Sequence, residues 1–143
     1  MTIHQLSIFL ENKSNSLVNV LRLFKKLEIQ LIASTISDTS DNGIYRVICS
    51  EPLRAYQGLK DAGVTVALSD VFAIELDDIP GKASDAMEIL SDAGIGITYM
   101  YTFLLNGKGI LIFRTTDANL TRETIILNEM KFVAEKDLSK WVE

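Results

Sequence analysis

The chain has 143 residues, enough for one domain or for two small ones. With 48% hydrophobic and 23% charged residues it has the composition of a folded globular protein, which excludes a disordered tail. Its formal charge of -5 and 14 scattered basic residues argue against nucleic acid as a partner, because phosphate binding needs clustered Lys and Arg to displace counterions.

In chain order, Ile3 to Glu11 alternates, with Leu6, Ile8 and Leu10 on one face, and predicts a half-buried strand. Ser16 is a good N-cap for a helix whose apolar stripe is Leu17, Val20, Leu21, Phe24 and Leu27, with Lys25 and Lys26 near its C-terminal end. Ile29 to Ser37 and Gly43 to Cys49 read as a hairpin around Thr39, Ser40, Asp41 and Asn42. Pro52 opens a second helix through Leu53, Tyr56 and Leu59 that stops at Gly63, and Val64 to Leu68 is a strand. The order then restarts. Val71 to Asp77 is a strand, and Ala83, Ala86, Met87 and Leu90 mark a helix ending at Gly94. Ile95 to Phe103 and Gly109 to Thr115 form a hairpin about Asn106, Gly107 and Lys108. Asp117 or Asn119 caps a helix through Met130, Phe132 to Glu135 is expected to close the sheet as a strand, and Leu138, Trp141 and Val142 pack as a tail.

A shift of 66 positions lays Ile8 on Ile74, Leu10 on Leu76, Ile29 on Ile95, Gly43 on Gly109 and Ile44 on Ile110 without a gap. The closing elements of the second copy are expected to need about two extra residues, in a loop that tolerates them. The chain thus divides into two βαββαβ units, residues 1–69 and 70–143, with no linker between them. That order implies an α+β fold of two tandem ferredoxin-like units, each an antiparallel sheet with its helices on one face. The fold hosts many functions and does not choose among them.

The junction of first strand and first helix is more specific. In the second copy it reads Leu76-Asp77-Asp78-Ile79-Pro80-Gly81-Lys82-Ala83, a tight Pro-Gly turn just before the helix. This resembles the ACT domain, a regulatory module that binds amino acids. The first copy reads Leu10-Glu11-Asn12-Lys13-Ser14-Asn15-Ser16-Leu17, with Asn15 where the family usually has glycine. Asparagine tolerates a left-handed backbone, so the turn is expected to survive. The resemblance covers both halves and implies a stand-alone tandem ACT protein, not an enzyme, that binds a free amino acid and needs no cofactor.

By that resemblance the ligand's carboxylate meets the unpaired amides at the start of the helix, at Ser16 or Lys82, where Gly81 lets the backbone approach. Asn12 and Asp78 orient the ammonium. In the family the loop of one unit commonly faces the second strand of its neighbour. The expected sites are Asn12, Lys13, Ser14, Asn15, Ser16 and Leu17 against Thr98, Tyr99, Met100 and Tyr101, and Asp78, Ile79, Pro80, Gly81, Lys82 and Ala83 against Ala33, Ser34 and Thr35. Several of these residues have plainer readings. Gly81 and Pro80 suffice as turn residues, Tyr99 and Tyr101 as packing, and Asp77 and Asp78 as solvated helix-dipole partners.

Elsewhere the sequence carries little chemistry. Cys49 is the only cysteine, which rules out an internal disulfide or a multi-cysteine metal site, and a buried apolar role is expected. His4 is the sole histidine and too isolated for metal or a triad. Asp38, Asp41 and Asn42 lack the spacing of a calcium loop, so no metal is expected. No leader or membrane span is read, and the chain is expected in the cytoplasm, away from membranes. A homodimer and a separate amino-acid enzyme regulated in trans are the protein partners expected beside the ligand.

Overall fold

A computed structural model describes residues 1–11, 15–38 and 42–140. Two compact units emerge, one holding His4–Ser69 with Lys136–Glu143, the other Met1–Ile3 with Asp70–Glu135.

In the first unit, β1 (Thr2–Glu11) buries Leu6, Ile8 and Leu10 under α1 (Ser16–Leu27) and α2 (Pro52–Asp61). The stripe of α1 puts Val20 and Phe24 into this core with Leu17 and Leu27 partly covered, whereas Leu21 is exposed and Leu23, outside the expected stripe, packs in its place. Pro52 sits in the first turn of α2, where its missing N–H would have no helical partner anyway, and Ala55 and Leu59 face inward. The two helices are tied by Arg54, whose Nη1 donates to the Leu27 carbonyl at 2.7 Å while its other nitrogens grip Glu51. β2 (Leu31–Asp38) and β3 (Asn42–Cys49) pair antiparallel as expected, with Thr39, Ser40 and Asp41 of the expected turn outside the described residues; β3 pairs antiparallel with β1, and Phe9 N donates to Thr65 O just before β4 (Val66–Asp77). The strand order β2-β3-β1-β4 places β1 in the interior.

The second unit repeats this with the later part of β4, α3 (Lys82–Asp92), β5 (Ile97–Leu105), β6 (Lys108–Thr115) and α4 (Ala118–Leu127). Phe72, Ile74, Leu111 and Phe113 pack against Ala86, Leu90 and Ile125, and the rings of Phe72 and Phe113 stack at 5.6 Å. Asn106 and Gly107, at φ 52° and 77°, form the two-residue turn of the β5–β6 hairpin, the left-handed pair such turns favour.

The 66-residue shift holds bond by bond. The bulge between Leu31 and Ala33 returns between Ile97 and Tyr99. Gln30 N donates to Ser50 Oγ as Gly96 N does to Thr116 Oγ1. Phe9 N to Thr65 O becomes Glu75 N to Lys131 O, and Val64 N to Leu59 O becomes Met130 N to Ile125 O.

Three expectations need correction. No extra residues enter the closing elements, because the last two of those bonds keep the shift at 66. The segment expected as a strand at Phe132 to Glu135 makes a single bridge, Phe132 to Ile74, flanked by backbone bonds from Glu75 N to Lys131 O and from Val133 N to Ala73 O. After Val133 the good helix formers Ala134, Glu135 and Lys136 take over, and α5 (Glu135–Lys140) begins. Asn15 does not take the left-handed turn: its φ is -98°, in the ordinary right-handed region, and it rather than Ser16 is the N-cap of α1. Leu138 is buried on α5 as expected, whereas Trp141 and Val142 lie outside the described residues.

Candidate functional site

The second unit carries its crevice where β4 hands over to α3. Ile79 N donates to Asp77 O at 2.8 Å and Lys82 N to Ile79 O at 3.3 Å, which folds the chain back sharply. Gly81 completes the turn as the N-cap of α3 at φ 95°. A Cβ there would meet nothing within 4 Å, so glycine is required by its backbone angle and not by crowding.

The first-turn amides of a helix have no partners within the helix itself. At α4 the Asp117 carboxylate accepts from Leu120 N at 3.0 Å. No side chain does this at Asn15 for α1 or at Gly81 for α3. At the start of α3 the Lys82 amide bonds back to Ile79 O and Asp85 sits in the first turn, while the Ala83 and Ser84 amides lie at the positive dipole end with no capping side chain.

Beside it lies a crevice of ≈ 300 Å³, at the small end of the range for ligand sites. Asp78, Ile79, Lys82 and Ala83 line one wall, Thr102, Phe103 and Leu104 of β5 the other, and Leu76, Gly109, Ile110 and Leu111 also line it. At its edge Lys108 Nζ donates to Asp77 Oδ1 at 2.6 Å. That hydrogen bond and the ammonium's charge hold the Asp77 carboxyl below its ordinary range, with smaller contributions from Lys82 and Lys131, and Asp77 in turn raises Lys108. With Asp77 and Lys108 neutralising each other, Asp78 and Lys82 set the remaining charge of the lining. Such a cleft suits a small zwitterion: amides and Lys82 for a carboxylate, Asp78 for an ammonium, and Ile79, Phe103 and Leu104 for an apolar side chain.

Of the residues expected from the sequence, Asp78, Ile79, Lys82 and Ala83 come together here. Pro80 and Gly81 are exposed and shape the turn without lining the crevice. Thr98, Tyr99, Met100 and Tyr101 lie earlier on β5, and the strand contributes Thr102, Phe103 and Leu104 instead. These three were missed because the loop Asp78–Ala83 was expected against Ala33, Ser34 and Thr35, and β5 was assigned to the loop of the first copy. In the first unit Ser16 borders a separate crevice, Leu17 packs on the core and Asn15 is exposed. Asn12, Lys13 and Ser14 lie outside the described residues. On β2, Ala33 and Thr35 are half-buried, and Ser34 accepts a hydrogen bond from the Tyr45 hydroxyl at 3.0 Å. Among the described residues no group of three or more His, Cys, Asp or Glu could hold a metal, and no helix is long and apolar enough to cross a membrane.

Comparison with known proteins gives consistent results. The profile of the ACT domain pair matches residues 1–142. Protein BT0572 from Bacteroides thetaiotaomicron is 36% identical, superposes with a TM-score of 0.92, and is matched over 98% of this chain and 97% of its own. The ligand-free regulatory subunit of aspartate kinase from Thermus thermophilus has the same fold at 10% identity and a TM-score of 0.63, covering 88% of this chain and 90% of that one. The corresponding subunit from Thermus flavus gives 12%, 0.59, and 98% and 92% coverage. No curated protein sequence matches.

Proposed function

We propose, from the premise that the chain belongs to the family of ACT domain pairs, that it is a non-catalytic regulatory protein that binds a free amino acid at the start of α3. The observation that carries this reading is the Gly81 turn: it leaves the amino end of α3 without a capping side chain beside a crevice of amino-acid size. The carboxylate docks on the first-turn amides with Lys82 nearby, Asp78 receives the ammonium, and Ile79, Phe103 and Leu104 select the side chain. Lys82 and Asp78 supply charge, whereas the amides supply direction.

A melting screen of the twenty proteinogenic amino acids tests the reading. A ligand at one hundred times its Kd adds about 2.7 kcal/mol to stability, which for a chain of this length raises Tm by several degrees. At least one amino acid is expected to do so, with the effect lost in Lys82→Met. Flat melting temperatures for all twenty at millimolar concentration reject the reading.

A further inference from the structure

Gly109 is the second residue of β6, and its backbone needs nothing that only glycine offers. Its φ lies outside the left-handed region, and the positive angles of the hairpin turn fall on Asn106 and Gly107. Pairing passes through it without a bulge, to Leu76 on β4 and to Leu104 on β5. Nor is it crowded. A Cβ there would meet only the Leu76 carbonyl oxygen at 3.6 Å and the Leu76 Cβ at 4.0 Å, which are ordinary contact distances. Glycine inside a strand weakens it, because the unfolded chain gains freedom and the folded one loses a packed side chain. Of the usual reasons for one, a bulge, a tight bend, or the close approach of another backbone or of a ligand, only the ligand is left here.

Strand alternation puts the empty position on the same face as Leu111 and Phe113, the face packed against Ala86, Leu90 and Ile125 of the helices. Gly109 lines the crevice beside the start of α3, and its cross-strand neighbours Leu76 and Leu104 line it too, together with Ile79 and Ala83. The missing side chain therefore leaves a bay with apolar walls at the amino end of the helix. We infer that Gly109 sets the side-chain specificity of this site: the bound amino acid lays an aliphatic side chain, of valine or leucine size, over Gly109 between Leu76 and Leu104. The crevice, at ≈ 300 Å³, suits so compact a ligand. The inference rests on amino-acid binding at α3 and adds to it the position that measures the side chain. A methyl group on residue 109 would take the place of the ligand's outer carbons and leave untouched the α3 amides, Lys82 and Asp78, where that reading places the head group.

Calorimetric titration of the intact chain with L-alanine, L-valine and L-leucine, in the wild type, Gly109→Ala and Gly109→Val, supplies the test. A buried methylene changes affinity about fourfold, so valine and leucine are expected to bind the wild type at least about tenfold more tightly than alanine. Gly109→Ala is expected to weaken leucine at least about fivefold while alanine stays within about twofold, and Gly109→Val to abolish the preference for leucine. Melting without ligand is the structural control: Gly109→Ala is expected to melt at or above the wild-type temperature, since alanine suits a strand interior better than glycine. A wild type that binds leucine, with equal leucine affinity in the folded variants, overturns the inference and spares the reading it rests on. So does tighter binding of L-aspartate, L-lysine or L-phenylalanine than of all three aliphatic amino acids. Failure of all twenty proteinogenic amino acids to bind the wild type at millimolar concentration rejects that reading and the inference with it. Should Gly109→Val unfold, Gly109→Ala alone decides.

Discussion

In each copy both helices end on a residue in the left-handed region: Glu28 and Gly63 in the first, Gly94 and Glu129 in the second. The copies make the same closing bonds, from Glu28 N to Lys25 O and from Gly94 N to Ser91 O, so geometry demands the conformation and only the residue differs. A side chain there costs about 1 kcal/mol that glycine avoids. Glu129→Gly is expected to stabilise the protein by about 1 kcal/mol, a rise of roughly 3 °C in Tm, and Gly94→Ala to cost a similar amount, both read by thermal melting. Asp77 supplies a second expectation at this scale. Its folded pKa is depressed by Lys108, so the stability it contributes is present above its ordinary value of 3.8 and is lost as pH falls through the depressed folded value. Lys108→Met is expected to move the Asp77 titration upward, as followed by carboxyl NMR, and the two proteins to converge in stability at pH below that range. The pair is exposed, so the change in overall stability is small.

At the scale of elements, capping separates the helices. Asp117→Ala removes the hydrogen bond to Leu120 N and is expected to cost about 1 kcal/mol in urea unfolding. Asn15→Ala, at a cap that makes no side-chain bond, is expected to cost much less. The strands, the helices and their order were legible because period and punctuation agree: Pro52 opens α2, Gly94 follows α3, and Asn106-Gly107 turns the second hairpin. The closing segment was misjudged because Phe132 and Val133 look like a strand while the helix formers after them win beyond one bridge. The left-handed turn expected at Asn15 failed for a related reason. Asparagine tolerates that conformation but does not require it, and only Gly81 is committed to it. Half of the α3 crevice was visible as the loop Asp78 to Ala83; its other wall was sought on β2, at Ala33, Ser34 and Thr35, because no local pattern encodes which strand a loop lies beside.

At the scale of the whole molecule, one backbone frame appears twice, down to paired bulges and helix-closing bonds, and the copies differ in what surrounds their first helix. In the second unit Gly81 opens the start of α3 toward β5, and the Glu75–Lys131 pair crosses the other flank. In the first unit the positions of Glu75, Lys82, Asp85 and Lys131 are held by Phe9, Ser16, Asn19 and Thr65. Duplication thus supplies a tolerated scaffold on which each copy's surface can be altered without altering its core.

Calorimetric titration of the amino acid that most raises Tm, into the wild type, Gly81→Val and Gly94→Val, tests the docking of an amino acid on the amides of α3. Both substitutions place a side chain at positive φ in open space, at opposite ends of the same helix, so they carry similar backbone penalties. Binding at least about tenfold weaker is expected for Gly81→Val, with the affinity of Gly94→Val unchanged. Equal affinity in all three proteins would contradict it.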